Sequence, residues 1–177
     1  MIREQISLVP AVLGDVAKLF KLRNDPFTVR YSRSGRTVPW AEHMNWYTRS
    51  VSDERHHRIY FIENGGKTVG VLRFERVAPS EAAISVYLLK HAVGHGLGPK
   101  SIQLGCELIF ADWDIDRVVA TIISGNPQSC QAFTKAGFVD HGDKTVCDPD
   151  LRMILNRPEH PGSSCGPLSL SNDTPGG

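Results

Sequence analysis

Five residues in the middle of the chain, Gly94-His95-Gly96-Leu97-Gly98, constrain its fold more than any other feature. The apolar run from Ala82 to Leu89 ahead of them reads as a strand, and the segment from Pro99 to Phe110 after them reads as a helix. Glycines at a strand-to-helix turn accept left-handed backbone angles, so several N–H groups can converge beside the positive end of the helix. Such a turn is an anion site suited to phosphate, although glycines there can equally be structural. Two familiar phosphate loops do not fit. A Walker loop needs Gly-Lys-Ser/Thr, and Lys100-Ser101 follow Pro99 instead. A dinucleotide fingerprint belongs in the first strand–helix unit, with an acid ending the next strand. Here the loop comes after several strands, and Asp114 and Asp116 precede a strand.

The segments around the loop have legible periods. Ile6 to Val9 reads as a short strand, and Asp15 is placed to cap a helix carrying Val16, Leu19, Phe20 and Arg23. A polar stretch follows to Val38. Pro39 then fits a first helical turn, with Trp40, Met44, Tyr47 and Val51 repeating on one face. Ile59–Glu63 and Val69–Phe74 read as strands joined by Asn64-Gly65-Gly66-Lys67, whose Asn and Gly suit a tight hairpin. Val118 to Ile123 is β-branched and reads as a buried strand. Asn126-Pro127 opens a further helix with a capping side chain and a first-turn proline, and Gly137 closes it. Phe138 and Leu151–Leu155 supply the last strands. Hairpins first and strand–helix–strand units afterwards predict an α/β domain of three layers. After Arg157 the chain turns to Pro, Gly, Ser, Asn and Asp, with too little apolar surface to offset ordering entropy. The expectation is one domain over 1–157 and a disordered tail over 158–177.

Composition excludes more than it selects. A chain of 177 residues with 41% hydrophobic and 22% charged residues suits one globular domain. Its 20 basic and 19 acidic residues are interspersed, which gives no electrostatic reason to expect nucleic acid. No apolar run approaches the roughly 20 residues that span a bilayer. Glu4, Gln5 and Asp15 interrupt any signal-peptide order, so a cytoplasmic protein without a membrane partner is expected. Cys106, Cys130, Cys147 and Cys165 form no CxxC pair and His56-His57 lack a partner at ligand spacing. No metal site is expected, and the thiols read as small core residues.

Beyond the glycine loop, Asn126, Ser129, Phe133 and Gly137-Phe138 form Asn-x-x-Ser-x-x-x-Phe-x-x-x-Gly-Phe. The two motifs together resemble the GCN5-related N-acetyltransferase (GNAT) superfamily. The resemblance implies the GNAT fold, a central mixed, mostly antiparallel sheet flanked by helices, with acetyl-CoA as co-substrate. It implies that Val93, Gly94, His95, Gly96, Leu97 and Gly98 grip the coenzyme A pyrophosphate. It also implies that Asn126, Ser129 and Phe133 contact the pantetheine and adenosine arm. The residues admit blander roles alongside, Asn126 as a helix cap and Phe133 as core. Departures from the family pattern are Val93, where Arg or Gln is usual, and Pro99, which removes one N–H from the helix start. A third is Phe133, where many members carry a tyrosine that protonates the departing thiolate.

Leu22-Arg23-Asn24-Asp25-Pro26, Arg30, Ser32-Arg33 and Glu42-His43-Met44-Asn45-Trp46 resemble the branch that acetylates amino groups on nucleotide-linked sugars, as in pseudaminic-acid-type biosynthesis. The strands around Arg73 and Ser85 continue that likeness. It implies an acceptor site drawn from Asn24, Arg30, Ser32, Arg33, Trp46 and Arg73. Arg30, Arg33 and Arg73 suit a diphosphate, and Trp46 or Tyr31 offers a ring face, though Trp46 also fits a core position. A homodimer is compatible with the resemblance.

The chemistry it implies is direct attack of the acceptor amine on the thioester. Backbone N–H groups along Ser85, Val86, Tyr87 and Leu88 would hold the thioester carbonyl. His43 is the expected base, because its ordinary pKa lies nearest neutrality, or else it packs its helix. Tyr87 or Ser85 would protonate sulfur in place of the tyrosine missing at Phe133. A peptide N-terminus or a polyamine is the competing acceptor, and a non-catalytic acyl-CoA-binding module is the alternative outside catalysis. Arg23, Arg30, Arg33, Arg36 and Arg49 outnumber Asp25 and Glu42 in this stretch, which favours an anionic acceptor.

Overall fold

Seven strands form a single sheet in the order β1-β2-β3-β4-β5-β7-β6. The computed structural model of the chain describes residues 6–142 and 150–158. The strands are β1 (Ile6–Pro10), β2 (His57–Asn64), β3 (Lys67–Ala78), β4 (Glu81–Leu88), β5 (Arg117–Ile122), β6 (Val139–Asp140) and β7 (Leu151–Asn156). The helices are α1 (Val16–Arg23), α2 (Pro26–Arg30), α3 (Trp40–Ser52), α4 (Leu97–Asp112) and α5 (Pro127–Lys135). Every neighbouring pair is antiparallel except β4 and β5. The expected mixed, mostly antiparallel sheet flanked by helices is present.

Alternation along the strands sends side chains to two separate cores. On one face, Leu19 and Tyr47 from α1 and α3 pack on Ile59, Phe61 and Val71. On the other, Ile102, Cys106 and Ile109 of α4 and Phe133 of α5 pack on Ile62, Leu72, Phe74, Ile84 and Val118. α4 lies so close over β3 that a Cβ at Gly105 would meet the Leu72 side chain at 2.9 Å.

The β2–β3 turn is the expected hairpin, with Gly65 and Gly66 at φ 57° and 76°. Other elements differ from expectation for local reasons. The stretch read as polar loop before Val38 contains α2, started by Pro26 and by the Asp25 carboxylate, which accepts from Phe27 N and Thr28 N at 3.0 and 3.4 Å. Asp15 does not cap α1 with its side chain. Its carboxylate turns back to accept from Val12 N at 3.0 Å. Pro39 stands one residue ahead of α3, and α4 opens at Leu97, inside the glycine run. Phe138 is a buried core residue just ahead of β6.

Cys106 is buried, which pushes its thiol up to about 12, and Cys130 is half-buried. Cys147, Cys165 and the residues expected as a tail beyond Pro158 lie outside the described residues. Among the described residues, no helix is long and apolar enough to cross a membrane. None of them form a group of three or more His, Cys, Asp or Glu able to hold a metal ion.

Candidate active site

The two parallel strands come apart. β4 and β5 pair only from Glu81↔Arg117 to Ile84↔Ala120, yet β4 continues to Leu88 and β5 to Ile122. Beyond Ile84 the β4 backbone groups that point away from β3 have no strand to pair with. A cleft of about 1310 Å³ occupies the opening, with Ser85, Val86, Tyr87 and Leu88 on one side and Thr121, Ile122 and Ile123 on the other. Buried backbone donors and acceptors are almost always satisfied, so this edge is suited to an amide-bearing ligand lying along it. β3 supports it closely: a Cβ at Gly70 would collide with the Tyr87 carbonyl and with Leu88.

The glycine loop sits at the mouth of the same cleft. Gly94 and Gly96 have φ 87° and 75°, angles that a side chain would strain, and Gly96 is the N-cap of α4. No side chain caps α4, so its first amides stay free for a ligand, apart from the N–H that Pro99 lacks. Val93, Gly94, Gly96 and Gly98 line the cleft. His95 is exposed outside it, and Leu97 is 2% exposed in the core, so neither side chain reaches the cleft.

α5 forms the next wall. Asn126 Oδ1 accepts from Ser129 N at 3.0 Å, capping the helix, and both residues line the cleft. Phe133 touches the cleft but is 3% exposed, with its ring 5.0 Å from Phe138 in an edge-on contact. The cap and core roles that the sequence allowed for Asn126 and Phe133 are both present.

The far end lies between α1–α3 and the face of β3 and β4 that carries Arg73, Ser85 and Tyr87, with Arg73 opposite Ser85 in register. The Arg73 guanidinium stands 5.2 Å from the Trp46 ring centroid, and desolvation draws its pKa down. Trp46 therefore both lines the cleft and packs on the α1–α3 core. The Tyr87 hydroxyl has no hydrogen-bond partner among the described residues, and burial raises its pKa well above the ordinary tyrosine value.

The expected three-arginine clamp is not assembled. Arg30 is exposed outside the cleft, 5.7 Å from the Tyr31 ring. Arg33 lines the cleft but pairs with Asp150 at 2.7 Å. Asn24 lies outside, its amide joined to both backbone groups of Val38 at 2.9 and 2.8 Å. Ser32 lines the cleft while donating to the Val29 carbonyl at 2.8 Å.

Of the two roles the sequence allowed, His43 has the surroundings of a packing residue. It is 1% exposed, and its Nε2 donates to the Val16 carbonyl at 3.2 Å. Its ring lies among Phe20, Trp40, Trp46 and Tyr47. Burial lowers its pKa, so the imidazole is held neutral and ties α3 to α1. Sequence reasoning gave Arg23 and Thr28 no site role. Both line the cleft, and among the described residues Arg23 Nη1 and Thr28 Oγ1 are buried without a hydrogen-bond partner. The signals for Arg23 were its place in the arginine-rich stretch and in the Leu22–Pro26 segment of the acceptor resemblance.

Residues 5–139 match the acetyltransferase (GNAT) domain family, and the chain belongs to it. It is an acetyl-CoA-dependent N-acetyltransferase, and the opened strands and glycine turn fit an extended phosphate-bearing thioester. Sequence comparison alone finds no match to a functionally characterised protein. Solved structures are similar in fold. One is AAC(6')-Ib in complex with paromomycin and acetyl-CoA, with TM-score 0.75 and 22% identity over 87% of this chain and 94% of that one. Another is spermidine N-acetyltransferase from Vibrio cholerae with CoA and spermine, with TM-score 0.73 and 15% identity over 86% and 95% of the two chains. A third is the ribosomal L7/L12 α-N-protein acetyltransferase RimL with CoA, with TM-score 0.73 and 18% identity over 88% and 96%. None of these three is named as a nucleotide-sugar enzyme.

Proposed function

We propose that this acetyltransferase modifies an amino group on a small anionic acceptor, a nucleotide-linked amino sugar. The observation that carries the reading is the charge of the acceptor end. Arg23, Arg33, Arg49 and Arg73 line it with Glu42 and Glu75 as the lining acids, and only Arg33 of the four has an ion pair among the described residues, with Asp150. A groove for a polyamine or a polycationic antibiotic needs the opposite balance, because a desolvated ammonium beside unpaired guanidinium groups is repelled.

In the reaction, the amine nitrogen bonds to the acetyl carbon as the carbon–sulfur bond breaks; the amine loses a proton and sulfur gains one. Free N–H groups along Ser85–Leu88 would hold the thioester oxygen as negative charge develops there, a contribution worth about 3 kcal/mol per donor in well-studied cases. Tyr87 is the proton donor to sulfur. The phenol is protonated at neutral pH, and no hydrogen-bond partner among the described residues holds the hydroxyl. Ser85, exposed on the same strand face, is the second candidate. His43 acts by fixing α3 against α1 rather than by taking the proton, because its Nε2 is committed to Val16. The amine proton then leaves to water.

A thiol-release assay with acetyl-CoA against UDP-linked amino sugars, spermidine and an alanine-starting peptide tests this. Release with the sugar nucleotide alone is expected. Release with spermidine or peptide and not with the sugar nucleotide would transfer the protein to another acceptor class. Acetyl-CoA binding without turnover on any arm would favour the binding-module alternative.

A further inference from the structure

Arg23 and Arg73 are cations that line the cleft. Arg73, from the middle of β3, has no carboxylate within ion-pair distance among the described residues, and neither has Arg23, from the last turn of α1. Each of the other arginines with an ion pair meets an acid of the protein, as Arg33 meets Asp150 and Arg117 meets Glu81. Arg23 donates from Nη2 to Ser34 Oγ at 3.3 Å, while its Nη1 is buried and unpartnered. Thr28 Oγ1, in the same cleft, is also buried and has no hydrogen-bond partner among the described residues. Desolvation is the main cause that draws the Arg73 pKa down; Tyr87 and Glu75 oppose it, and repulsion from Arg23 adds to it. A fold that desolvates two like charges without a counter-charge loses stability. Such an arrangement persists where a ligand supplies the missing charge, as perturbed groups in clefts do at functional sites.

We propose that Arg23 and Arg73, with the Thr28 hydroxyl, form an internal subsite for an oxyanion of the acceptor, a phosphate or a carboxylate. The inference rests on the acetyltransferase reading above and adds the location of the acceptor's charge. Arg73 faces Ser85 across the β3–β4 pair, so the anion is bound on the strand face beside the thioester, not out at the rim where Arg30 and Arg33 stand. The acceptor amine and its oxyanion therefore belong to one small molecule, with the negative group carried close to the nitrogen. Trp46, against the Arg73 guanidinium, holds that side chain in place.

Titration calorimetry of the CoA-saturated protein with inorganic phosphate and with malonate tests the subsite without requiring turnover. Both anions should bind, and Arg73→Met or Arg23→Gln should weaken them at least tenfold, with Lys67→Gln, an exposed hairpin position, as the matched loss of charge. Arg73→Met should also raise the melting temperature, since it removes an unpaired desolvated charge while keeping contact with Trp46. A purely structural Arg73 predicts the reverse. Equal anion affinity in wild type and both variants would overturn the subsite. The source of the charge is separated by turnover on a UDP-linked amino sugar, the same amino sugar without its nucleotide, and a free α-amino acid. Preference for the first assigns phosphate, and preference for the last assigns carboxylate. Turnover of the amino sugar without its nucleotide, which lacks an anionic group, at an equal kcat/KM overturns the inference while leaving the acetyltransferase intact. Failure to bind acetyl-CoA would instead count against the parent reading, and anion titration of the variants would still decide the subsite.

Discussion

The closed and open ends of the β4–β5 pair use the same two strands to opposite purposes. At the closed end the backbones are joined from Glu81↔Arg117 to Ile84↔Ala120. Glu81, 8% exposed, accepts there from Arg117 Nε at 2.7 Å and Arg152 Nη2 at 3.0 Å. Its charge is answered inside the protein. At the open end, among the described residues, the Ser85–Leu88 edge has no strand beyond β3 to pair with, the Tyr87 hydroxyl and Arg23 Nη1 have no hydrogen-bond partner, and neither Arg23 nor Arg73 has an ion pair. Polar groups left without partners in one cleft are the part of the fold that a ligand completes, and the paired end is what keeps that part in place.

The largest expected effect lies at the open end. Tyr87→Phe should lower kcat by about a hundredfold if the hydroxyl protonates sulfur. Its melting temperature should hold or rise, because a buried orphan hydroxyl is removed. Unchanged kcat by steady-state thiol release would return the role to Ser85 or to water.

Glu81→Gln tests the closed end in the opposite sense. Leaving two arginines without a carboxylate should destabilise the fold by about 2 kcal/mol, below the figure for fully buried pairs because both arginines are partly exposed. Denaturant unfolding should show that loss while KM for acetyl-CoA stays close to wild type. A large rise in KM would mean that the pairing also sets the opening of the cleft.

Gly96→Val sharpens the comparison at the loop. The position has open space around it, so the effect is conformational: φ 75° strains a β-branched residue by about 1–2 kcal/mol. The free loop should relax, and acetyl-CoA binding must restore it, so KM for acetyl-CoA should rise about tenfold with kcat nearly unchanged.

The smallest effect is a pH dependence. His43 has a folded-state pKa below its unfolded value of 6.5, so the unfolded chain binds the proton more readily. Its neutral form contributes fully above pH 6.5, and that contribution is lost as pH falls toward the folded pKa. Melting temperature should therefore decline from pH 7 to 5, and His43→Gln should flatten that decline. A base role predicts instead that the variant abolishes turnover at every pH.

Much of the scaffold was legible because its signals are local. The Asn64–Lys67 hairpin, the Asn126 cap and the left-handed glycines before α4 each depend on residues a few positions apart. Where a local rule misled, a neighbour won: Asp15 turned to Val12, and Asp25 with Pro26 nucleated α2 in a stretch read as loop. The acceptor end was legible only as an excess of arginine. Which arginine is free depends on partners distant in sequence, such as Asp150, 117 positions from Arg33. The same holds for Glu81, 71 positions from Arg152.

By itself the sequence determined a GNAT-type α/β domain, the glycine-rich turn before α4 and the residue types around the cleft. Only the tertiary structure decided that β4 and β5 part after Ile84, that His43 is sealed against Val16, and that Arg23 and Arg73 share one cleft without an ion pair among the described residues. The reason is physical. Backbone preference and capping act within a turn or two of chain, whereas desolvation and charge pairing are fixed by whatever the fold brings alongside.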